Sequence, residues 1–148
     1  MDKKIYVAWF TVVIWMVLIF LLSHQPANES SELSQGFTDV VISIIETVVS
    51  PLQIDMDFLH FFIRKSAHFF AYFVLGILVF HALRLSNVYG IRAVLITLGI
   101  CIIYAISDEV HQLFIPGRSG EVTDVMIDSA GAIVGIFVYI FMLRFLKK

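Results

Sequence analysis

The chain has 148 residues, 59% of them hydrophobic and 15% charged, with a formal net charge of −2 and a mean hydropathy of +0.92. Soluble domains use roughly 45–50% apolar and about 25% charged residues, so an apolar excess gathered into long runs excludes an ordinary soluble domain and marks an integral membrane protein. The charge balance gives no case for a nucleic-acid partner, and the single cysteine, Cys101, excludes an internal disulfide and any Cys-based metal motif.

Apolar residues run from Ile5 to Leu22 behind Lys3 and Lys4. That run exceeds the roughly 7–15 residues of a signal-peptide core, and no small-residue cleavage site follows it. It predicts an uncleaved transmembrane helix over 5–22, ended by Ser23-His24-Gln25-Pro26 because proline cannot continue it. Trp9 and Trp15 are expected to touch lipid or anchor the interface. Next, Leu33, Phe37, Val40, Val41, Ile44, Ile45 and Val48 recur at helical spacing, with Glu32, Asp39, Ser43 and Glu46 between them. This predicts an amphipathic helix over about 31–50, before Pro51.

The second span is predicted over 61–84. Arg64, His68 and Tyr72 share one of its faces, with Lys65 flanking. A third span follows over 91–112. Tyr104, Asp108, His111 and Gln112 share a face there, while Glu109 is about 100° around from Asp108 and is free to point elsewhere. A turn at Pro116-Gly117-Arg118-Ser119-Gly120 leads to a fourth span over 124–145, with Thr123 as its expected N-cap. Asp124, Asp128, Gly131 and Gly135 form one stripe on it, and the glycine pair suits close helix packing. The expected fold is therefore all-α: a four-helix membrane bundle in a single domain over 1–148, plus the amphipathic helix.

An even number of spans places both termini on one side, together with Lys3, Lys4, Arg84, Arg92, Arg144, Lys147 and Lys148. The positive-inside rule makes that side cytoplasmic. The opposite side keeps only Arg64, Lys65 and Arg118 as basic residues, and cations near membrane depth usually face a bundle interior or a cavity. The expectation is a polar pocket on the extracytoplasmic side of the membrane.

Within it, His68, Asp108, Glu109, His111 and Asp128 are the candidates for acid–base chemistry, since histidine titrates near neutrality and a carboxylate can orient it. Arg64, Lys65, Tyr72, Gln112, Arg118 and Asp124 are the candidates for holding an anionic phosphate or carboxylate. No cofactor is expected. No metal is expected either, because no H-E-x-x-H-type spacing is present and three nearby cations oppose a bound metal ion. Three readings stay open: an enzyme hydrolysing or transferring a lipid-linked head group, a non-catalytic module binding a lipid head group, and a structural protein whose polar cluster only staples the helices.

The run Arg64-Lys65-x-Ala67-His68-x-x-x-Tyr72, the run Ser107-Asp108-Glu109-x-His111-Gln112-x-Phe114-x-Pro116-Gly117-Arg118, and the tail Asp124, Asp128, Gly131, Gly135 together resemble the VanZ-like family of bacterial membrane proteins. Position 128 is often Asn in that family and is Asp here. The family is named for a protein that gives low-level resistance to the glycopeptide teicoplanin. The resemblance thus implies a cell-envelope role, in a Gram-positive bacterium, with membrane lipids and a lipid-linked cell-wall precursor or a lipoglycopeptide as partners. It implies no particular reaction.

Overall fold

The computed structural model describes residues 2–25 and 56–146; the amphipathic helix expected over 31–50 lies outside the described residues. The described residues form four helices, α1 (Lys3–Ser23), α2 (Met56–Leu85), α3 (Gly90–Gln112) and α4 (Val122–Leu146), and no strand. Each is long and apolar enough to cross a membrane. The helix starts at Val122, so Thr123 sits in its first turn instead of capping it. The outward faces, including Phe10, Val13, Val17, Ile103, Phe137 and Phe141, are exposed apolar side chains that suit lipid contact.

In lipid, apolar side chains gain little by leaving their surroundings, so helices associate through close packing and polar contacts. The α2–α4 seam is built that way. A β-carbon on Gly131 would stand 2.2 Å from the Phe69 carbonyl oxygen, and one on Gly135 would stand 2.3 Å from that of Phe73. The two glycines are four residues apart and so are the two carbonyls, which fixes the register of the helices. α2 also packs against α1 and α3, and Tyr72, Leu75, Val79, Ala82, Cys101, Ala105 and Ala132 are buried at the centre.

The tryptophans correct one expectation. Trp9 Nε1 donates to Ser86 Oγ at 3.1 Å, and Trp15 Nε1 donates to the Ala71 carbonyl at 2.9 Å. An indole N–H in hydrocarbon needs an acceptor. Both rings are half-buried and bind α1 to the α2 side of the bundle instead of serving only as lipid anchors.

Two turns set the helix geometry. After Leu85 the chain closes a Schellman motif: the Val88 N–H donates to Leu83 O at 2.9 Å and the Asn87 N–H to Arg84 O at 3.2 Å, with Asn87 left-handed at φ 63°. After α3, the Arg118 N–H donates to Ile115 O at 3.1 Å across Pro116-Gly117, with Gly117 at φ 78°. Proline then glycine of positive φ is the type II pattern. Buried Ile115 anchors the turn, which brings Arg118 back over the bundle end.

Candidate functional site

The polar side chains gather where the C-termini of α1 and α3 meet the N-terminal part of α2 and the start of α4, at the end of the bundle away from both chain termini. Helical spacing explains the convergence. Steps of four residues bring Lys65 and then Phe69 along α2, and Asp124 and Asp128 along α4, to facing positions on the tight glycine seam.

The first group is an ion cluster between α2 and α4. The Lys65 ammonium donates to Glu121 Oε2 at 2.7 Å and to Asp124 Oδ1. Arg64 Nη2 lies 3.5 Å from Asp124 Oδ2 and 4.0 Å from Glu121 Oε1. Asp124 is fully buried, whereas the Arg64 side chain keeps 42% of its exposure. The hydrogen bond from Lys65 holds the Glu121 carboxyl below its usual range. Asp124 and Glu121 also sit at the α4 N-terminus, where the helix dipole favours negative charge.

Deeper lies a second group. His68 Nδ1 is 3.3 Å from Asp128 Oδ1, and Asp128 is fully buried. Glu109 is buried too: its Oε2 accepts the Glu121 backbone N–H at 2.8 Å and its Oε1 accepts from Gln112 Nε2 at 3.1 Å. Glu109 therefore turns into the site with its neighbours. The 100° offset from Asp108 is bridged because Gln112, one helical turn on, donates to both acids, reaching Asp108 Oδ2 at 3.3 Å.

The third group joins α1 to α3. Ser23 Oγ donates to Asp108 Oδ2 at 2.8 Å. Arg118 Nη1 donates to Gln112 Oε1 at 3.4 Å and Nη2 to Leu22 O at 3.5 Å. Among the described residues no carboxylate comes within ion-pair distance of Arg118. Burial, with the neighbouring Arg64, keeps its guanidinium below the usual arginine value. To one side, His111 Nε2 lies 3.0 Å from His24 Nδ1, and Phe20 stacks on the His24 ring and packs at a tilt against the His111 ring.

The structure thus brings Arg64, Lys65, His68, Asp108, Glu109, Gln112, Arg118, Asp124 and Asp128 together at one end. Tyr72 is buried below them, with its hydroxyl lacking a hydrogen-bond partner among the described residues. His111 stands beside His24, apart from the His68 pair. Lys65 and Asp124 are occupied by each other. Sequence reasoning missed Glu121, which takes two cations, and His24, which partners His111. Glu121 was detectable as an acid three residues before Asp124 at a helix start; His24 carried no such signal.

The family model described as VanZ/LLP1 matches residues 8–144. The chain belongs to this family. No curated protein and no solved structure matches it significantly. The matched stretch includes every residue of the polar site of this VanZ/LLP1 protein, from Ser23 to Asp128.

Proposed function

We propose that this VanZ/LLP1 protein sits in the bacterial cytoplasmic membrane with both termini inside and offers an outward-facing pocket to an anionic, lipid-linked envelope molecule, so contributing to tolerance of teicoplanin-type glycopeptides. The carrying observation is Arg118: a half-buried guanidinium whose only partners among the described residues are neutral oxygens at long range, beside the exposed Arg64. Arginine holds phosphate or carboxylate through a two-pronged fork, and this one is not engaged by a carboxylate among the described residues. The uneven distribution of basic residues supports the sidedness, since only Arg64, Lys65 and Arg118 lie at the site end.

The staple reading accounts for Lys65, Asp124 and Glu121, which bind one another. It extends to the Ser23–Asp108 bond and the His68–Asp128 pair, but not to the charge of Arg118, which meets only neutral oxygens at long range among the described residues. Acid–base groups below a pair of arginines suit hydrolysis of a phosphate ester or transfer of a head group. His68, Asp108, Glu109 and Asp128 are the residues placed for such proton transfer, with His111 at the side.

The test is a cellular one. Arg118→Ala, His68→Ala, Asp108→Asn and His111→Ala are expressed to matched membrane levels, and teicoplanin tolerance is compared. Loss in Arg118→Ala alone supports anion binding without catalysis; loss in His68→Ala and Asp108→Asn as well supports chemistry. Undiminished tolerance in all four variants contradicts the proposal.

A further inference from the structure

The inner wall of the site holds more carboxyl groups than lysines and arginines. Five carboxylates meet there: Asp108, Glu109, Glu121, Asp124 and Asp128. Arg64 and Lys65 are taken up by Glu121 and Asp124, and Arg118 is the third cation. Asp108, Glu109 and Asp128 remain, buried and with no lysine or arginine within ion-pair distance among the described residues.

The geometry points to a divalent cation site formed by His68, Glu109 and Asp128. One ligand atom from each of these residues lies within 4.8 Å of the other two. An ion at their centre would be within coordination reach of all three after small rotamer adjustments. A second observation points to a ligand. Asp128 is fully buried, yet neither of its carboxylate oxygens has a hydrogen-bond partner among the described residues. Its Oδ1 faces His68 Nδ1 at 3.3 Å, an ion pair only when the imidazole is protonated, and its Oδ2 has no partner at all among the described residues. Buried carboxylates are otherwise paired or coordinate metals.

The supporting contacts fit as well. Glu109 accepts hydrogen bonds on both oxygens, from Gln112 and from the Glu121 N–H. That orients a ligating carboxylate and leaves each oxygen a lone pair. One imidazole nitrogen and two carboxylates, with no thiolate, suit Zn²⁺ or Mn²⁺. Three protein ligands leave a position for water or a ligand oxygen, the arrangement of catalytic rather than structural sites. Arg64 and Lys65 do not oppose such an ion, because Asp124 and Glu121 already neutralise them, which leaves Arg118 as the one cation without a carboxylate partner among the described residues of the site. An ion here would face the same pocket as Arg118, and Asp108, whose Oδ1 is unpartnered, would be the acid left for proton transfer.

This inference rests on the inner carboxylates and needs no anionic lipid, so its failure and that of the lipid-binding reading are distinguishable. The experiment takes the full chain in detergent, stripped with chelator and monodisperse, and titrates Zn²⁺ and Mn²⁺ separately by calorimetry, with thermal unfolding read in parallel. The expected result is one ion per chain and a raised melting temperature for the wild type. Affinity falls more than about tenfold in His68→Ala, Glu109→Gln and Asp128→Asn, and is kept in His81→Ala at the opposite end of the bundle. A wild type that binds neither metal, or binding unchanged in Glu109→Gln and Asp128→Asn, overturns the site.

Discussion

Gly131 on α4 lies directly against the Phe69 carbonyl of α2, so close that a β-carbon there would stand 2.2 Å from the oxygen. Backbone cannot give way as a flexible side chain can. Gly131→Ala therefore pushes the helices apart next to the His68–Asp128 pair. The expected cost is about 1–3 kcal/mol, read as a lower melting temperature in detergent. Gly99, with open space around it, tolerates the same change without such a loss.

Lys65 is the only described cation buried in the bundle, and Asp124 beside it has no exposure at all. Lys65→Met removes the ammonium and leaves the buried carboxylate with only the more exposed Arg64, at 3.5 Å. Breaking a buried pair from one side costs about 3–5 kcal/mol. The double variant Lys65→Met/Asp124→Leu recovers much of that loss, because no orphan charge remains. A thermal double-mutant cycle measures the coupling; equal losses in the single and double variants would contradict it.

Glu121 gives the site a pH dependence with a definite sign. Its carboxyl lies outside the spans and is held below the ordinary 4.5, first by the hydrogen bond from Lys65. A lowered carboxyl contributes stability that is complete above the ordinary value and is lost as pH falls through the folded value. Glu121→Gln should therefore melt lower than wild type at pH 7, with the difference closing on acidification below 4.5. The effect is small, since the side chain keeps 36% exposure and water screens the pair. A difference that grows towards acid pH would reverse the assignment.

Ser23 ties the end of α1 to α3 through Asp108. Removing the donor in Ser23→Ala leaves Asp108 with only the long bond from Gln112. Hydrogen bonds to charged groups contribute about 1.5–3 kcal/mol. The expected outcome is a comparable destabilisation together with faster backbone hydrogen exchange in residues 18–23. Unchanged exchange there would show that other contacts hold α1.

Much of this was legible in the sequence. Long apolar runs fix four spans, and steps of four placed Arg64, His68 and Tyr72 on one face and Asp124, Asp128, Gly131 and Gly135 on another. Which partners these faces choose depends on how the helices rotate against each other, and single-sequence spacing does not set that. Hence Glu109 seemed free to turn away, yet Gln112 and the Glu121 backbone draw it in. The tryptophans followed belt statistics in the sequence but find acceptors on Ser86 and Ala71, distant in the chain. Cations clustered with acids in the sequence also hid how unevenly they pair: Lys65 is saturated and Arg118 is not.

The most direct measurement is binding of a polyprenyl diphosphate, against the uncharged polyprenol of the same length, to the purified protein in nanodiscs. The account predicts a clear preference for the diphosphate that weakens with added salt and is lost in Arg118→Ala while the protein stays folded. Equal affinity for the charged and uncharged lipids, or a preference that survives Arg118→Ala, would contradict it.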